Sequence, residues 1–248
     1  MSTSLQPHEP HRPLPLPHEH VLDNAAWESL AGPHRHLAQT VGTAARYQED
    51  VSPFVALADA DDPRSWTDLA TLVGPGNSFA LAGVPSLPES WATGQSGQGV
   101  QLVGTSLRAE RDPQAVPLGP ADVPEMLDLV ARTEPGPFRP RTVEMGAYYG
   151  VRHEGRLVAM AGERLRPPGW TEISAVCTDQ EHRGRGLATR LVRHVAAGIA
   201  DRGETPFLHA AAANTNAVRL YESLGFTLRR TILFHFLRVP DDTPESAR

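Results

Sequence analysis

The chain has no apolar run approaching the roughly 18 residues that a membrane-spanning helix needs, so neither a membrane protein nor a membrane partner is expected. Its first twenty residues lack the apolar centre of a secretory signal. Cysteine occurs once, at Cys177, which excludes an intramolecular disulfide and agrees with a reducing compartment. Together these absences predict a cytoplasmic protein. An excess of positive charge is missing too: 23 Lys and Arg stand against 29 Asp and Glu, a formal charge of -6. A broad nucleic-acid-binding surface is therefore not expected, and any anionic ligand must be held by local geometry. A nucleophilic role for Cys177 is the sharper reading of that residue, but a small apolar side chain packed in a strand is the better one.

What is present divides the chain. Residues 1–20 carry five prolines and four histidines and little to bury, so they read as a disordered tail. His8, His11, His18 and His20 have chelating chemistry, but their irregular spacing among prolines favours a solvated tail, and no metal is expected. From 21 to 110 the pattern is a mixed α/β unit. "HVLDNAAWESLA" reads as helix, "SPFVALA" as strand, "DPRSWTDLATLVGPG" as helix and breaker, and "SFALAGV" and "VQLVGTS" as strands. The stretch 55–76 loosely echoes 116–136, each a strand, an acidic turn, a helix and a Pro-Gly breaker, which suggests a duplication. A polar turn near 111 marks a boundary, and residues 240–248 read as a second tail.

Beyond 111 the signals sharpen. Asp122 and Glu125 have capping-box spacing ahead of a helix over 122–132. "AYYGVRH" and "RLVAMAGERL" form a hairpin about Glu154-Gly155, and "WTEISAVCT" is a third antiparallel strand. In its alternation Glu172 shares a face with Trp170 and Ser174, opposite Ile173, Ala175 and Cys177, unless a bulge intervenes. Leu187, Leu191, Val192, Val195 and Ile199 then recur on one helical face. "DQEHRGRGLA" is thus a strand-to-helix turn. Free amides and the helix dipole make such a place suited to a phosphate, and Gly184 and Gly186 remove the Cβ atoms that would obstruct it. From Asp179 to Arg202 five arginines face two aspartates and one glutamate, so an acidic chain is locally basic here. A P-loop would need Gly-Lys before Ser or Thr, and the dinucleotide fingerprint would need Gly or Ala where Thr189 stands; both are disfavoured.

Arg183-Gly184-Arg185-Gly186-Leu187-Ala188 resembles the pyrophosphate loop, Arg/Gln-x-x-Gly-x-Gly/Ala, of the GNAT superfamily of acyl-CoA-dependent N-acyltransferases. "FLHAAAANTNAVRLYESLGF" (207–226) is similar to a second segment of that family, a strand, an Asn, and a helix with Leu-Tyr and a closing Leu-Gly-Phe. The resemblance covers about 115–239. It implies an α/β, mixed-sheet GNAT-type fold over 111–239, preceded by a smaller α/β domain that is either a degenerate GNAT-like copy or an acceptor-shaping module. It further implies acetyl-CoA, or another acyl-CoA, as co-substrate. The backbone of Val176, Cys177 and Thr178 would pair with the pantetheine arm, and amides of Arg183, Gly184, Arg185, Gly186, Leu187 and Ala188 would hold the pyrophosphate. Asn214 would contact the cofactor or cap its helix. Tyr221 would face the cofactor sulfur or, on the residue pattern alone, belong to the core.

Acyl transfer to an amine needs a neutral nucleophile. An amine of pKa about 10 is only about 0.1% neutral at pH 7, a cost of about 4 kcal/mol that a base can help meet. Glu172 and His209 are the two candidate bases, the first by a carboxylate common on that strand of the family, the second by its place five residues before Asn214. The expected activity is direct transfer of an acetyl or other short acyl group to an amine on a small molecule, peptide or protein. The alternative is an acyl-CoA-binding regulatory or scaffold protein without turnover. Acceptor identity and oligomeric state are open at this stage.

Overall fold

The computed structural model describes residues 20–91 and 94–241. Residues 1–19, with His8, His11 and His18, and residues 242–248 lie outside the described part. His20 lies within it, against expectation: its Nδ1 accepts the Leu22 N–H at 3.1 Å, and its ring meets Trp170 edge-on.

The N-terminal half runs through helix α1 (Ala25–Ala31), strands β1 (Ala38–Val41), β2 (Ala44–Tyr47) and β3 (Phe54–Leu57), helix α2 (Pro63–Val73), and strands β4 (Ser78–Ala82) and β5 (Gly94–Val103). Local chemistry sets the limits of α2. The Asp62 carboxylate accepts the Arg64 N–H, Pro63 opens the first turn, and Gly74 at φ 84° ends the last. The β1–β2 hairpin and the glycine-rich start of β5 had no strand signal in the sequence, because short polar and glycine-rich strands carry little alternation.

The C-terminal half follows with β6 (Val116–Leu118), α3 (Val123–Thr133), β7 (Tyr148–His153), β8 (Arg156–Glu163), β9 (Trp170–Thr178), α4 (Leu187–Asp201), β10 (Thr205–Ala211), α5 (Thr215–Ser223) and β11 (Thr227–Arg238). The expected β7–β8 hairpin forms with Glu154 at φ 50° and Gly155 at φ 80°, the paired left-handed residues of a tight hairpin turn. The periodic face of α4 is the core: Leu191, Val192, Val195 and Ile199 are fully buried against the sheet. Burial of each contributes about 2 kcal/mol. The Asp122–Glu125 capping box does not form. Asp122 accepts the Gly119 N–H, and both carboxylates instead hold Arg152.

The eleven strands of the described residues share one sheet, in the order β1-β2-β3-β4-β11-β5-β10-β9-β8-β7-β6. The residue-111 turn lies in the connection between β5 and β6, and strands cross it in both directions: β5 pairs with β10 and β11, and β11 pairs with β4. The order repeats about the centre. In the N-terminal half β3, α2 and β4 form a parallel crossover, and in the C-terminal half β9, α4 and β10 form another. Each half passes its last strand into the other. The sequence echo matched β3–α2 with β6–α3, but β6 and β7 are antiparallel, so the topological counterpart of β3–α2–β4 is β9–α4–β10.

Candidate functional site

Strands β9 and β10 pair only from Trp170 to Glu172, against Thr205 to Phe207, and then part. Ala175 has φ 52°, and there two residues of β9, Ala175 and Val176, lie opposite one of β8, Ala161. A bulge of this kind turns the strand and shifts its alternation. Ile173 therefore packs on the α4 side, while Ala175 and Cys177 pack with Met126 and Leu129 of α3, which corrects the single face expected for all three. Beyond Glu172 the backbone through Val176, Cys177 and Thr178 has no β10 partner, so its polar groups face a cleft of about 790 Å³.

The α4 N-terminus forms one wall of that cleft. Gly184 and Gly186 lie at φ 76° and 72°, and a Cβ on either would meet nothing within 4 Å. Gly186 supplies no side-chain cap, so the first amides of α4, from Leu187 and Ala188 on, are open to the cleft. Arg183 donates to the Thr178 carbonyl at 3.2 Å. Two buried atoms beside the loop, Thr178 Oγ1 and His182 Nδ1, have no partner among the described residues. Open amides, uncrowded glycines and unsatisfied polar atoms fit a pyrophosphate with its attached arm.

Glu172 and His209 prove to be neighbours. His209 Nδ1 lies 2.8 Å from Glu172 Oε1. Behind them Arg164 grips Glu172 with Nε at 2.8 Å and Nη2 at 2.6 Å, and the Leu165 N–H approaches the same carboxylate. Glu172 has no exposed surface and does not line the cleft; His209 does. Although burial alone would raise its pKa, the charge and hydrogen bonds of Arg164, with those of His209, hold the Glu172 carboxyl well below the usual range. On the far side of His209, Nε2 is 3.0 Å from Gln101 Nε2. Arg229 donates to Gln101 Oε1 at 2.8 Å, and the amide nitrogen donates to the Leu22 carbonyl at 2.9 Å. The remaining amide N–H points at His209, so Nε2 is an acceptor and Nδ1 the donor to Glu172.

Tyr221 belongs to both of its readings. It is buried in the core cluster of α4 and α5 and it also lines the cleft. Burial, with a smaller contribution from Cys177, pushes its hydroxyl up to about 12. Asn214 caps α5, accepting the Ala217 N–H at 3.1 Å, and also reaches the cleft. Burial raises the pKa of the Cys177 thiol, which weakens any nucleophilic role.

Several site residues had no sequence signal. Phe54 of β3 and Gly97 and Gln98 of β5 line the same cleft, while Gln101 reaches His209 from β5. Arg164 was hinted at only by the rule that a carboxylate in an apolar strand needs a cation. Twenty-three basic residues offered too many candidates.

Residues 148–235 match the FR47-like protein family. A solved GNAT-family structure from Novosphingobium aromaticivorans DSM 12444 is 42% identical with a TM-score of 0.81, over 89% of this chain and 99% of that one. The chain belongs to the GNAT family. A GCN5-related N-acetyltransferase from Kribbella flavida, 18% identical with a TM-score of 0.58, shares the fold over 87% of this chain and 95% of its own. Two curated relatives match in part. The N-alpha-acetyltransferase RimI of Mycobacterium tuberculosis is 37% identical over 82 residues, 32% of this chain and 51% of that protein. The mycothiol acetyltransferase of Thermobispora bispora is 47% identical over 57 residues, 23% of this chain and 19% of that protein. The chain thus spans about half, or less, of the curated relatives it matches.

Proposed function

We propose that the protein transfers an acetyl or other short acyl group from acyl-CoA directly to an amine. The observation that carries this reading is the continuity of one cleft, from the open amides of α4 past Tyr221 to His209. The names of the partial relatives agree with it. Bound acyl-CoA supplies an activated thioester.

In this reading the α4 amides and Gly184–Gly186 hold the pyrophosphate, and the free edge of Val176–Thr178 receives the pantetheine arm. His209 accepts the ammonium proton at Nε2 once the Gln101 N–H yields that position to the acceptor. Glu172, held ionised by Arg164, orients the ring and stabilises the charge it gains. The two base candidates thus take different roles: His209 faces the acceptor and Glu172 is a positioning residue. The amine nitrogen forms a bond to the acyl carbon as the carbon–sulfur bond breaks, and the sulfur leaves with the electron pair.

Tyr221 stabilises that sulfur by a hydrogen bond. Full proton transfer from a phenol near 12 to a thiolate of about 8.5 is uphill by about 5 kcal/mol, so donation without transfer is the role its environment favours. Tyr221→Phe should lower kcat roughly 10- to 10³-fold, and His209→Gln at least about 10²-fold, with acetyl-CoA affinity retained in both. Thiol release from acetyl-CoA with a working amine measures this. Wild-type turnover in both variants overturns the catalytic assignments, and acetyl-CoA binding without release over a broad amine panel favours the non-catalytic binder.

A further inference from the structure

Past His209 the cleft opens into a slot that both halves of the chain build. Its floor is β5. Gly97 stands opposite Phe234 in the β5–β11 register, and a Cβ there would meet nothing within 4 Å. Two residues on, a Cβ on Gly99 would strike the Phe234 ring. Phe234 therefore lies across Gly99 and leaves open space over Gly97. Phe54 from β3 and Phe236, two residues beyond Phe234 on the same face of β11 and 51% exposed, supply further walls. The His209 ring closes the inner end, nearly perpendicular to Phe234 with centroids 5.8 Å apart.

The charges of this slot are few. Arg164 lies over the Phe54 ring, but its Nε and Nη2 are committed to Glu172, so the pair presents little net charge. Among the described residues that line the cleft, Glu134 is the one carboxylate, exposed on the loop after α3. It can draw one ammonium toward the mouth. A second ammonium on the same acceptor would lose hydration beside three phenylalanines without a counter-charge. A flat ring, by contrast, gains edge and face contacts with those rings over a floor that glycine keeps low.

We infer that this slot selects a monoamine carried on an aromatic body, an arylalkylamine, over polyamines and lysine-rich chains. The inference rests on the acyl-transfer reading of the cleft, with Gly97, Phe54 and Phe234 as the residues that set specificity. Two measurements keep the ideas apart: calorimetric binding to the CoA-loaded protein, and thiol release from acetyl-CoA. The probes are 2-phenylethylamine, hexylamine, spermidine and a lysine-rich peptide. The aromatic amine should bind at least about tenfold more tightly than spermidine or the peptide, and more tightly than hexylamine. Gly97→Leu, which fills the slot, should weaken 2-phenylethylamine binding at least about tenfold and leave acetyl-CoA affinity and melting temperature near wild type. Equal or tighter binding of spermidine or the peptide overturns the inference, as does unchanged aromatic-amine affinity in folded Gly97→Leu. If the binding order holds without thiol release, the slot assignment stands and acyl transfer fails. Release with spermidine alone gives the reverse.

Discussion

The two parallel crossovers of the sheet share a topology and differ at the start of their helices. In β9–α4–β10 the helix opens on Gly186, with no side chain over its first amides and a positive φ that leaves the approach clear. In β3–α2–β4 the same place is filled from within the chain: Asp62 accepts the Arg64 N–H, Pro63 contributes no N–H, and Arg64 folds back onto the Asp62 carboxylate. One helix end is open, as the proposed pyrophosphate site requires, and the other carries its own anion. The difference teaches that topology supplies a possible anion site and cap chemistry decides whether it exists. What the N-terminal half contributes instead is a wall of the proposed acceptor slot and the Gln101 contact to His209.

The comparison can be pressed from the largest expected effect downward. The C-terminal crossover depends on a buried ion pair. Glu172→Gln leaves the Arg164 guanidinium short of its counter-charge and should cost about 3–5 kcal/mol of unfolding free energy, read by urea denaturation. A cost near zero would show that the network serves orientation alone.

The N-terminal half should be the more acid-sensitive through His34, which is buried beside the Tyr47 hydroxyl at 2.9 Å. Burial lowers its pKa to about 4 from an unfolded value near 6.5, with a hydrogen bond to the Met145 backbone opposing the shift. Between those values the unfolded chain binds more protons. His34 therefore contributes its full stability above about pH 6.5, and about 3 kcal/mol of it is lost as the pH falls to about 4. Urea midpoints compared between pH 7 and pH 4.5 should drop less in His34→Gln than in the wild type.

The smallest effects test the two caps directly. Gly186→Asp places a Cβ, backbone strain and a carboxylate at the open end, and should weaken acetyl-CoA binding by at least about tenfold. The self-capped end of α2 should offer no acetyl-CoA site. Asp62→Ala should lower the melting temperature by roughly 2–4 °C through loss of its cap, with acetyl-CoA affinity unchanged. Calorimetry showing that Asp62→Ala opens a second acetyl-CoA site would make the caps, and nothing else, the distinction between the halves.

The sequence by itself determined what is local. The α4 stripe, the β7–β8 hairpin, the glycine turn and the Asn214 cap each follow from residue types within a few positions, because periodicity, φ preference and capping are properties of neighbours along the chain. The family resemblance added the roles proposed for Tyr221, Glu172 and His209. Tertiary structure alone decided what depends on distant segments meeting. The exchange of β5 and β11 brought Gln101 and Gly97 to His209 and Phe234, residues more than a hundred positions away, and strand pairing records no partner in the sequence of either strand. The bulge at Ala175 set which way Ala175 and Cys177 face, since one left-handed residue reverses an alternation that composition cannot signal. The ion pair of Glu172 with Arg164 came from the same source: a buried carboxylate demands a cation, but only the packed sheet chooses which one.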